Sequence, residues 1–100
     1  MTVWIKEGCE GALSIPMRKA HGKVAALYSS KGLPMYVTRR REFALKTLDG
    51  SLHFDGNAED VFDPAKNVTL TEMRLCLGPD FDVVEYGWGY HYEYDPPRGV

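Results

Sequence analysis

One hundred residues, 44% hydrophobic and 26% charged, fit one globular domain: the chain is too short for two ordinary cores and too apolar for a disordered protein. A formal charge of -2 argues against a nucleic-acid footprint, and the Arg39-Arg40-Arg41 run is too short to reverse it. No apolar run approaches the roughly 20 residues that span a bilayer, and residues 1 to 7 lack the apolar centre of a signal peptide. The expectation is therefore a single domain over residues 1 to 100, a monomer made in the cytoplasm without a leader. Any action at a cell wall would follow its release by other means.

In chain order, Ser14 and Pro16 open a stretch in which Met17, Ala20, Val24 and Leu27 recur at three and four residues. This spacing predicts a helix over residues 15 to 31, ended by Gly32 and Pro34. A short strand follows at residues 35 to 38. Asp49-Gly50 and Asp55-Gly56 read as turns, leaving His53 on a short extended piece and residues 58 to 62 as a second strand. Thr69 and Glu72 have capping-box spacing ahead of Leu70, Met73 and Leu77, a two-turn helix closed by Gly78. Residues 82 to 86 and 90 to 95 read as strands joined by a three-residue loop, Gly87-Trp88-Gly89. The elements predict an α+β fold, with helices packed on one face of a small, mainly antiparallel sheet whose other face stays open.

Chemistry concentrates in Ser51-Leu52-His53-Phe54-Asp55-Gly56-Asn57-Ala58-Glu59-Asp60. A neutral imidazole at His53 and a carboxylate at Asp60, with small residues between, suit a borderline-soft divalent ion such as zinc, and His91 is the natural third ligand. A turn at Gly56 would let ligands an odd number of residues apart converge, Ala58 would leave room beside the ion, and Ser51 would orient a ligand or its loop. If Tyr86 pairs with Tyr90, Glu85 lies across from His91, where it could act as general base. Arg41 or Arg39 could grip a substrate carboxylate in a two-pronged contact. Trp88, at a loop tip, reads as an aromatic lid or a sugar-contacting ring, whereas the even-numbered tyrosines read as core packing opposite His91. His21 has no partner at ligand spacing and reads as structural or solvent-exposed. Cys9 and Cys76 lack C-x-x-C spacing and read as reduced thiols.

The decapeptide has the form S-x-H-x-x-G-x-A-x-D, which resembles the zinc site of the D-Ala-D-Ala carboxypeptidases and phage endolysin peptidases, whose fold the Hedgehog signalling domain shares. The stretch Leu77-Gly78-Pro79-Asp80-Phe81-Asp82-Val83-Val84-Glu85, with His91-Tyr92-Glu93-Tyr94-Asp95-Pro96 after it, is similar to the C-terminal half of small phage-type members. The likeness spans roughly residues 34 to 96. It implies a Hedgehog/DD-peptidase-like fold, zinc held by His53, Asp60 and His91, and hydrolysis of peptide bonds in peptidoglycan stem peptides. The chain departs from the pattern in three places. Glu85 lies six residues before His91, as in the Hedgehog arrangement, where many phage-type members place a glutamate at the position of Tyr86. Gly89 stands where the first histidine of H-x-H is usual, and no histidine lies between Thr38 and His53. Two other readings remain: the same fold retaining zinc without turnover and binding a cell-wall or protein partner, or an interaction protein whose histidines are incidental.

Overall fold

The computed structural model describes residues 2–7, 13–43 and 55–96. Its elements are β1 (Val3–Ile5), α1 (Ile15–Ser30), β2 (Met35–Phe43), β3 (Asp55–Phe62), α2 (Leu70–Leu77), β4 (Phe81–Tyr86) and β5 (Gly89–Tyr94). The sheet order is β1-β2-β3-β5-β4, with β1 parallel to β2 and the other neighbours antiparallel. The described residues thus form a small α+β domain with a five-stranded mixed sheet and two helices. No helix among them is long and apolar enough to cross a membrane.

Both helices begin on the expected caps. Ser14 accepts a hydrogen bond from the Met17 amide at 3.3 Å, and Pro16 occupies the first turn, where its missing N–H costs nothing. Thr69 and Glu72 exchange side-chain and backbone bonds in a complete capping box at the start of α2. The Thr69 amide, and then Lys31 at 2.9 Å, hold the Glu72 carboxyl below its ordinary range. The stripe of α1 is Met17, Ala20, Val24 and Tyr28, with Ala25 beside it; Leu27 is only half-buried. These residues meet Met73 and Leu77 of α2 and the inner sheet residues Met35, Val37, Val61, Val83, Tyr90 and Tyr92 in one core.

The strands differ from expectation in three ways. β1, too short to show alternation, is an unanticipated parallel edge strand. β2 continues through the arginines to Phe43, paired antiparallel with β3: Arg39 is in register with Asp60, Arg40 with Glu59 and Arg41 with Ala58. Asp55 and Gly56 are not a turn. They belong to β3, and the register shift between Arg41–Ala58 and Phe43–Asp55 puts one extra residue on that strand, a bulge.

The last hairpin carries the largest consequence. Tyr86 pairs with Gly89, not Tyr90, so the loop is the two residues Gly87-Trp88. A one-residue change of register turns each opposing side chain to the other face.

Candidate metal centre

Alternation on β3 and β5 separates two sets of polar side chains. Val61, Tyr90 and Tyr92 face the helices, so Asp60 and His91, which are cross-strand partners, project from the open face. The His91 Nδ1 lies 2.6 Å from Asp60 Oδ1, and its Nε2 lies 2.9 Å from Glu93 Oε1. Both carboxylates can only accept, so the doubly protonated imidazolium fits this geometry best. The bond to Asp60 is the main cause of a His91 pKa raised above its ordinary value. Burial works against the rise, and Glu93 reinforces it.

That shift has a signed consequence for stability. The folded pKa exceeds the unfolded value of about 6.5, so the contribution is complete below about pH 6.5 and disappears as pH rises through the folded pKa. In metal-free protein, the stability lost on His91→Gln should therefore be larger at pH 6 than at pH 9, read by urea unfolding. An equal loss at both would mean that the imidazolium pairing contributes nothing.

The structure brings together two of the three expected ligands, Asp60 and His91. His53 and Ser51 lie outside the described residues, as does Cys9. Among the described residues, no three His, Cys, Asp or Glu side chains are arranged to hold a metal ion. Arg39 sits beside Asp60 in register and is exposed on β2, while Arg41 stands opposite Ala58. Ala58 is buried between Arg41 and Glu93 in register, on the face of Asp60. Cys76 is a half-buried free thiol, its pKa raised by that burial.

Glu85 is not across from His91. Its partner is Tyr90, and Val84 is opposite His91, so the Glu85 side chain projects from the helix-bearing face. The expected placement assumed a three-residue loop, and the two-residue loop reverses it. Burial and the neighbouring Glu85 carboxylate push the Tyr90 hydroxyl up to about 12. Besides Asp60, the carboxylates that share the open face with His91 are Glu93, bonded to its Nε2, and Asp82, in register with Glu93.

Gly89 has a physical reason to be glycine. Its φ is +150°, and a Cβ there would overlap the Val61 carbonyl oxygen and approach the Asp63 amide to 2.7 Å. No histidine side chain fits at this position.

Two polar clusters escaped sequence reading. Glu59 is fully buried under α1, where His21 Nδ1 approaches its carboxylate oxygens at 3.0 and 3.1 Å and the Tyr92 hydroxyl donates to it. His21 is therefore structural, tying α1 to the strand that carries Asp60. Asp63, just beyond β3, accepts from Tyr28 Oη at 2.8 Å, the Val68 amide at 3.1 Å, and both nitrogens of Asn67 at 3.1 Å. In sequence, an acidic residue on the helix-facing phase of an alternating strand was the only signal of the first. The second had none, because its donors come from two separate segments, Tyr28 on α1 and the Asn67-Val68 loop. No family model, curated protein or solved structure matches the chain.

Proposed function

We propose that this protein is a zinc-dependent peptidase of the Hedgehog/DD-peptidase fold, hydrolysing peptide bonds in bacterial cell-wall stem peptides. Its ligands are His53, Asp60 and His91. The observation that carries the reading is the 2.6 Å approach of His91 Nδ1 to Asp60 on the open face, between residues that the S-x-H-x-x-G-x-A-x-D motif and the late His-x-Glu segment had singled out independently.

The donor set fits the ion. An imidazolium between two carboxylates leaves the group with one excess negative charge, which exchange of a proton for a divalent cation would remove. Zinc, when bound, supplies a Lewis acid for the scissile carbonyl and lowers the pKa of water toward 7. Arg39 and Arg41, on the strand beside Asp60, are suited to a substrate carboxylate. Proton transfer is assigned to Glu93, because Glu85 projects from the other face.

Asp60→Ala should remove about one zinc per chain and lower the thermal midpoint of zinc-loaded protein, since metal binding to the native state adds to folding free energy. Elemental analysis reads the first and a melting curve the second. Full metal occupancy in that variant would sink the ligand assignment. Glu93→Gln should keep the metal and lose hydrolysis by about a hundredfold or more, whereas Glu85→Gln should leave turnover unchanged. Mass spectrometry of products from purified cell wall tests both.

A second reading has an observation of its own. With Glu85 off the open face and Gly89 unable to carry a side chain, the same site could hold zinc without turnover and serve to bind cell wall or a protein partner. Stoichiometric zinc with no released peptide from any cell-wall substrate would select it.

A further inference from the structure

One row along the strands from Asp60 and His91, the open face changes character. Phe62, Gly89 and Tyr86 form the next register row, and Trp88 stacks on Tyr86 with ring centroids 5.0 Å apart and planes 9° from parallel. Gly89 is buried beneath this cluster, yet Phe62, Tyr86 and Trp88 keep 45%, 46% and 36% of their surface exposed. Core packing does not account for three large rings left in solvent on one patch.

The platform is held rigidly from below. Trp88 accepts at its carbonyl from the Asp63 amide at 2.8 Å, and Lys66 Nζ donates to the Tyr86 carbonyl and to that of Gly87 at 3.3 Å. A backbone already tied down, with Trp88 stacked on Tyr86, leaves less to order when a ligand arrives.

The surroundings select the ligand. The carboxylates of Asp60 and Glu93 begin about 7 Å away along the strands, two residues at the usual rise. With Asp82 on β4, which shares this face, they disfavour a nucleic acid or an anionic membrane. A protein partner spreading over this face would also have to bury Asp60 and His91 in the adjoining row, against the depletion of charge at interface cores. A pyranose ring matches what is left: its C–H face stacks on aromatic rings, and its hydroxyl and amide hydrogens donate to carboxylates.

We propose that the Phe62–Tyr86–Trp88 platform binds a sugar ring of a neutral glycan strand. The proposal rests on the cell-wall reading above, in which the glycan carries the stem peptide. It places the sugar one register row from the site of hydrolysis, so that the platform grips the strand while the peptide crosses Asp60 and His91.

Calorimetric titration with a soluble β-1,4-linked N-acetylglucosamine hexamer tests it. Saturable binding is expected, with Kd raised about tenfold in Trp88→Ala and in Tyr86→Ala, a factor equivalent to about 1.4 kcal/mol. Leu75→Ala, which removes an apolar side chain 80% exposed on α2, should leave Kd unchanged. In a Trp4→Phe background, the hexamer should also shift the emission of Trp88. No saturable heat, or equal Kd in the Trp88→Ala and Leu75→Ala proteins, would overturn the proposal, as would partition into phosphatidylcholine vesicles without hexamer binding. Zinc content and peptide release on the same samples read the peptidase proposal separately. Zinc bound without hexamer binding removes only the platform, and hexamer binding without zinc removes only the metal site.

Discussion

Gly89→Ala should leave little folded protein. Backbone in this region costs a non-glycine residue about 1–3 kcal/mol, and the new methyl would press on the Val61 carbonyl and the Asp63 amide, neither of which can rotate away. Overpacking of that kind adds about 1–3 kcal/mol, so the sum of about 4 kcal/mol approaches the whole stability of a small domain. Gly87→Ala, in the same loop with open space around its Cβ position, should change stability by less than about 1 kcal/mol. Urea unfolding of both proteins checks the contrast. Gly89→His, which would create the H-x-H pattern of the peptidases that the motif resembles, should fail at least as badly. A well-folded Gly89→His protein would show that the β3–β5 approach is looser than described.

Asp63→Ala should cost about 3–5 kcal/mol, because it strands two buried donors, the Tyr28 hydroxyl and the Val68 amide, each worth about 1–3 kcal/mol when left unpaired. The midpoint of thermal unfolding should fall by roughly 20 °C, at 4–8 °C per kcal/mol for a domain of this size. Tyr28→Phe removes only one of the four bonds and should cost about 1–2 kcal/mol. The Tyr28 hydroxyl remains a donor at every working pH, its pKa pushed up by burial and by the Asp63 carboxylate. If Asp63→Ala unfolded within 1 kcal/mol of the parent protein, water would have to enter and replace the lost acceptor.

The two experiments probe one construction. Asp63 anchors the loop after β3 through its side chain and anchors the hairpin through its amide on the Trp88 carbonyl, while Gly89 allows β5 to pass close enough for that bond. The position of His91 against Asp60 follows from this closure, two residues further along.

Local features were legible in the sequence because their causes are local. Ser14 and the Thr69–Glu72 pair marked both helix starts, the spacing of Met17, Ala20 and Val24 marked the buried stripe, and the tyrosines at 90 and 92 marked an alternating strand with its aromatic face inward. Motif and residue type alone nominated Asp60 and His91 for one site, though not as cross-strand partners. What depended on neighbours was not legible. Arg39 to Arg41 are strand because they pair with Asp60, Glu59 and Ala58 of β3, a partner that no window around residue 40 contains. The β1 strand exists only through its parallel partner.

Register decided the rest. The sequence by itself determined where helices begin, which residues are apolar enough to be inside, and which histidines and carboxylates are available for chemistry. Only the tertiary structure decided that the hairpin closes on Tyr86 and Gly89, because that closure depends on the contact of Gly89 with the backbone of Val61 and Asp63. A side-chain period of two makes such a one-residue choice switch faces completely, which is why Glu85 left the open side and Glu93 remained on it.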